Sequence, residues 1–169
     1  MKREDIQYRG YRIIANASGA RIHPQNHPID GNSTEESLAN AKAHIDAIHK
    51  EKQKLRPAPH IGTFDDYVEA LTASMPADHE CAMLSAHYKS EGKRLTAAEL
   101  AKSAGWDSFS SANRFYGKLG KRIADQVGLD LTGRDEQAWT EALATFDEET
   151  RQWIMHDNLA KALVHLNMV

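Results

Sequence analysis

"LTAAELAKSAGWDSFSSANRFYGKLGKRIADQVG", residues 95–128, decides how this chain is read. Thr96 is placed to cap a short helix that Gly105 closes. Ser108 is placed to cap a longer one running to about Val127. A short helix, a glycine-containing turn and a longer basic helix, in that order, predict a helix-turn-helix. Leu100 and Ala101 would pack beneath the second helix. Ala112, Phe115 or Tyr116, Leu119 and Ile123 follow the helical period toward the core. Gly117 and Gly120 fall in the same helix, one turn apart, where each costs about 1 kcal/mol relative to alanine. Lacking side chains, they admit another backbone to close range, either a packed protein helix or a phosphate strand.

The residues off the apolar stripe carry the functional expectation. Early positions of a second helix approach base edges, which nominates Ser110, Ser111, Asn113 and Arg114. Arg and Asn suit this role because each can make paired hydrogen bonds to guanine or adenine. Lys118, Lys121 and Arg122 lie further along and would meet phosphates.

On either side of this motif the chain changes character. "IQYRGYRIIANASGARIHPQN" holds two β-prone runs with Gly19 as a turn between them. "GNSTEESLANAKAHIDAIHKEKQK" reads as a long helix, with Ser33 and Glu36 as a capping box and Leu38, Ala41, Ile45 and Ile48 as its apolar stripe. Residues 1–54 are therefore expected to form a small β-β-α unit. Residues 55–62, "LRPAPHIG", are expected to be a linker, and 63–169 a helical domain. In that domain Thr63 caps a helix with Phe64, Tyr67, Val68 and Leu71 on one side. Pro76 opens a helix that Gly92 ends, another helix lies near 135–145, and a short strand precedes a last helix from about Asp157. The fold class expected is α+β, mostly helical.

Of the 169 residues, 41% are hydrophobic and 27% charged, which suits a packed fold rather than disorder. The net charge of −3 hides an asymmetry. Residues 93–122 hold seven basic and two acidic side chains, a net +5, so the remainder carries −8. Cys81 is the sole cysteine, which excludes an internal disulfide and fits a reducing compartment. No apolar run approaches the roughly 18 residues that span a bilayer, and the charged N-terminus lacks the apolar core of a signal peptide. The expectation is a cytoplasmic protein with no membrane partner.

The stretch from Met75 to about residue 165 also resembles a helical module that accompanies HNH nuclease domains in bacterial restriction-type proteins. The elements that carry the likeness are Ala86-His87-Tyr88, the run Leu95 to Ala101, the run Ser110 to Gly120, and the closing "RQWIMHDNLAKAL". The resemblance implies a nucleic-acid-binding accessory module. The His-Asn-His constellation of the nuclease is not found in this chain, so cleavage is not implied. The leading expectation is a non-catalytic protein that binds duplex DNA, a regulator or recognition module of a bacterial defence or mobile-element system, with a protein partner or a homodimer as possible company. The alternative is a phage-type anti-restriction or anti-CRISPR inhibitor that binds a protein through its acidic surface. No cofactor is expected.

Other constellations have plainer readings. His23 and His27 each precede a proline, which makes a helical ligand pair unsuitable. His79 and Cys81 face about 200° apart around one helix and do not share an ion. Cys81 reads as a small, partly buried residue. Asp65 with Asp66, and Asp147 with Glu148 and Glu149, fit helix starts and surface turns. Trp106 reads as a wedge between two helices, with base stacking as its other use. "YRGYR", residues 8–12, reads as an amphipathic edge strand, with a second nucleic-acid or protein contact as the other possibility.

Overall fold

The computed structural model describes residues 3–135 and 138–169, and the chain divides into two compact units between Leu55 and Arg56. The fold is mixed α+β with helix predominant.

The first unit opens with four strands, not two: β1 (Glu4–Tyr8), β2 (Tyr11–Asn16), β3 (Gly19–His23) and β4 (His27–Ile29). They form an antiparallel meander in the order β1-β2-β3-β4. The first turn is Arg9-Gly10, where both residues have positive φ (48° and 83°), as a tight hairpin turn requires. Gly19 is not in a turn. It begins β3 with φ +137°, and a Cβ there would lie 2.7 Å from the Ile29 carbonyl oxygen, so the approach of β4 demands glycine.

Ile6, Ile13 and Ile22 align across three strands, with Ala15, Ala20 and Ile29 beside them. α1 (Thr34–Leu55) lays Ala41 and Ile45 against this face, and the six innermost residues are fully or nearly fully buried. The Ser33 hydroxyl accepts the Glu36 amide at 3.1 Å, as the capping pattern predicts. The Glu36 carboxylate reaches one residue further back than expected, to the Asn32 amide at 2.9 Å. Tyr8 donates its hydroxyl to Asp46 of α1 at 3.0 Å.

The second unit begins at Arg56, inside the stretch expected to be a linker. The buried Arg56 guanidinium forms a two-pronged ion pair with Asp66 (2.8 and 3.1 Å) and donates to the carbonyls of Val127 (2.7 Å) and Gly128 (2.9 Å). Residues 56–62 are thereby folded into the unit rather than strung between two.

Five helices follow: α2 (Phe64–Ser74), α3 (Asp78–Lys89), α4 (Ala97–Ser103), α5 (Phe109–Val127) and α6 (Asp157–His165). Thr63 and Thr96 cap α2 and α4 through reciprocal boxes, with Asp66 and Glu99 three residues on. α3 starts later than Pro76 suggests. Ala77 is its N-cap, and the buried Glu80 carboxylate takes the Ala77 amide at 2.8 Å. Gly92 lies beyond its end, in a 3₁₀ turn.

The helix expected near 135–145 is not formed in the part of it that is described. Residues 136 and 137 lie outside the described residues. Ala138–Ala142 is a 3₁₀ turn, and the chain then enters a strand. That strand, β6 (Ala144–Asp147), joins β5 (Arg94–Leu95) and β7 (Gln152–Met155) in a sheet of order β5-β7-β6. Tyr67, Met83, Leu84, Leu100, Tyr116, Leu119, Ile123, Leu143 and Leu159 fill the core beneath them. Among the described residues, no helix is long and apolar enough to cross a membrane.

Candidate nucleic-acid interface

α4, residues 104–108 and α5 build a helix-turn-helix. α4 ends in a left-handed residue, Gly105 (φ +76°). The Trp106 amide donates back to the Ala101 carbonyl (2.9 Å) and the Gly105 amide to the Lys102 carbonyl (3.0 Å), the double bond of a glycine-terminated helix. Trp106 then turns inward as a wedge. Its ring sits 4.9 Å from Phe115 of α5 and 5.2 Å from His79 of α3. Leu100, Ala101, Ala112, Tyr116, Leu119 and Ile123 are all buried, as their spacing requires.

Gly120 of α5 answers to packing. Gly117 and Gly120 are both buried. A Cβ on Gly120 would fall 2.3 Å from the Trp139 carbonyl oxygen, so the backbone of the 138–142 turn occupies the notch. The close partner is protein, and a phosphate strand has no access there.

The seven residues expected to touch DNA separate along the helix. Ser110 and Arg114 are exposed, and Ser111 and Lys118 half-buried, on the first two to three turns. Arg114 and Lys118 stand four residues apart, each 6.0 Å from the Phe115 ring centre. Neither forms an ion pair among the described residues. Ser108 occupies the N-cap without bonding a helix amide, and its hydroxyl meets that of Ser110 at 2.6 Å.

Three of the seven face or pair with the protein itself. The Asn113 Oδ1 is buried and without a hydrogen-bond partner, so this amide is turned into the fold and not toward a base edge. Arg122 holds the buried Glu80 carboxylate through two contacts, 2.6 and 3.2 Å, and serves α3. Lys121 pairs with Asp125 one turn on and lies 5.8 Å from the Trp139 ring. This second pair is exposed, and such pairs are worth only a few tenths of a kcal/mol.

Phe109 was not singled out by the sequence. It is the first residue of α5 and 62% exposed. Its spacing places it on the buried stripe of Ala112, Tyr116 and Leu119, but it lies one turn beyond the core that covers them. An apolar stripe running past a helix start was the available signal.

The other reactive side chains have structural partners. His87 is buried between the Tyr116 hydroxyl (2.9 Å) and the Trp153 carbonyl (2.9 Å). The carbonyl can only accept, so Nε2 carries the proton and Nδ1 accepts from tyrosine. Burial pulls this imidazole below its ordinary range. The Cys81 Sγ rests 3.5 Å from the Pro76 carbonyl, and burial, then Asp78 and Glu80, push the thiol up, away from a reactive thiolate. Among the described residues, no group of three or more His, Cys, Asp and Glu side chains is placed to hold a metal ion. No protein-family model matches this chain, and no curated protein or solved structure matches it.

Proposed function

We propose that this is a non-catalytic DNA-binding protein that presents the first half of α5 to duplex DNA, in a bacterial defence or mobile-element setting. The observation that carries the reading is the helix-turn-helix itself, with Phe109, Ser110, Ser111, Arg114 and Lys118 displayed on the early turns of its second helix. Arg114 has the donor fork that guanine accepts, and Phe109 suits the methyl group of thymine. Ser110 and Ser111 are short enough to let the helix backbone near the duplex. Lys118, further along, meets a phosphate, and Lys121 joins it by exchanging its exposed partner for the nucleic acid.

DNA binding is preferred over an inhibitor acting through an acidic surface because many of the carboxylates are engaged within the chain. Asp66, Glu80, Glu141 and Asp147 are held by Arg56, Arg122, Arg134 and Arg94. The defence setting rests on the likeness of residues 75–165 to modules that accompany HNH domains.

Titrating a labelled duplex at rising salt tests the proposal. Each phosphate contact contributes about 0.9 to the slope of log affinity against log salt. Arg114→Glu with Lys118→Glu should weaken binding at least tenfold and flatten that slope. Equal affinity of this variant and the parent chain refutes the assignment.

A further inference from the structure

The first unit has a face that the helix-turn-helix leaves unused. α1 covers one side of the β1–β4 sheet, and alternate residues point to the other. Across the register, Gln7, Arg12 and His23 form one row, and Asp5, Ile14, Arg21 and Pro28 form the next. Asp5, Gln7, Arg12 and Arg21 are exposed. Arg3 immediately precedes β1 and is exposed. Its proximity is felt at Asp5, whose carboxyl is held below the usual range by Arg12 first, and also by Arg3 and His23. Arg12 and Arg21, with Arg3 close to Asp5, outweigh one aspartate and make this face positive in a chain of net charge −3.

The chemistry of the face selects its occupant. Arginine and glutamine make paired hydrogen bonds to guanine and adenine edges. Phe, Tyr and Trp are missing from these rows. Tyr8 and Tyr11 point to the covered side, Tyr8 bonded to Asp46 and Tyr11 edge-on to His49 of α1 at 6.0 Å. A single strand would need an aromatic platform for its bases. Dimensions agree with a duplex. Three strands spaced about 4.8 Å apart present a patch roughly 10 Å across, and successive rows lie about 7 Å apart along the strand. A major groove about 12 Å wide accepts such a patch, and its base pairs rise about 3.4 Å each, so adjacent rows stand two steps apart. The major groove of A-form RNA is too narrow for it. The Arg12–Asp5 pair is no obstacle, since both side chains are about half exposed (51% and 40%) and the bond is readily exchanged.

We propose that the open face of the first unit, centred on Gln7, Arg12 and Arg21, is a second duplex-DNA contact that lies in the major groove. It stands independently of the α5 reading. The edge-strand interpretation of residues 8–12 is thereby split: Arg9 is a turn residue held by Asp46 at 3.1 Å, and Arg12 belongs to the binding face.

The test uses the full chain and a fluorescein-labelled 30-base-pair duplex of random sequence, read by anisotropy at increasing KCl. Arg12→Ala with Arg21→Ala should weaken binding at least tenfold, as the loss of two paired base contacts requires. Methylating guanine N7 in the probe should weaken the parent chain more than this variant, as a major-groove contact requires. Parent-like affinity of the variant overturns the proposal, as does an equal or tighter grip on a 30-nucleotide oligo(dT). Where the sheet variant is weakened and Arg114→Glu with Lys118→Glu is not, the sheet face stands and the α5 reading falls. The reverse pattern overturns the sheet face alone. Absence of duplex binding by the parent chain overturns both. Arg21→Gln changes one exposed side chain outside the Arg12–Asp5 pair. It carries the same test, with an expected loss of about threefold or more, should the double variant fail to fold.

Discussion

Replacing Gly120 by alanine separates two explanations of why α5 contains glycine. In an open helix the change would stabilise the protein by about 1 kcal/mol, the propensity difference between the two residues. Here the added methyl carbon would sit 2.3 Å from the Trp139 carbonyl oxygen and 3.5 Å from the Leu143 side chain. Ordinary contact between carbon and oxygen is nearer 3.3 Å, so the 138–142 backbone must retreat by about 1 Å. That backbone is held by the Leu143 amide bonded to Thr140 at 2.8 Å and by the short β6 that follows. Overpacking of this kind costs about 1–3 kcal/mol and more where backbone is the obstacle. After the propensity gain, a net loss of about 2 kcal/mol is expected, which lowers the melting temperature by roughly 4–8 °C. Urea and thermal unfolding followed by circular dichroism measure it. Duplex affinity of the folded variant, measured below its transition, should match the parent chain. A variant as stable as the parent, or one that folds equally well but loses DNA binding, would refute the packing explanation.

Three further outcomes follow from the same geometry. Arg56→Ala strands the buried Asp66 carboxylate and two helix-end carbonyls, and should destabilise the second unit by about 3–5 kcal/mol in urea unfolding; a loss below about 1 kcal/mol would contradict the role given to it. Arg122→Ala uncovers the buried Glu80 and should cost about 2 kcal/mol, whereas Lys121→Ala should change stability by less than about 0.5 kcal/mol, so equal effects of the two would remove the distinction drawn between them. Acid should weaken the fold before the carboxylates titrate. His87, His156 and His60 are all held below their ordinary range in the folded chain, chiefly by burial. The unfolded chain, with histidines near about 6.5, takes up protons first as pH falls. Their contribution is therefore complete above about pH 7 and is lost below about pH 6.5. The urea midpoint should drop between pH 7.5 and pH 5.5, and a flat or rising midpoint would sink this account.

Local signals were legible and long-range ones were not. Thr63, Thr96 and Gly105 mark helix ends through bonds spanning three to five residues, and each stands where its spacing put it. The apolar stripe of α5 is likewise visible in one segment. β1 and β2 read as one run because "YRGYR" looks like continuous strand, and nothing local in the sequence marks Arg9-Gly10 as the hairpin turn that divides them. "EALATF" carries helix-forming residues, yet pairing with β7 draws Ala144–Asp147 into a strand, so tertiary context overrides propensity. Charge counting failed for the candidate site in the same manner. Glu80 and Arg122 are 42 positions apart, and Arg56 lies 71 from Val127. A run of four cations in α5 looks uniform until the fold supplies a carboxylate to some and not to others.

The Gly120–Trp139 contact also fixes what can change in this protein without rebuilding it. With Tyr116, Leu119, Gly120 and Ile123 clamped, α5 is unable to rotate or slide, and its opening turns are held out like the cutting end of a key whose bow is set in the fold. On the DNA-binding function we propose, target preference would then drift through positions 109, 110, 111, 114 and 118 alone. Diversification of the reader and conservation of the scaffold become separable along a single helix, and a library restricted to those five positions should yield folded members at high frequency.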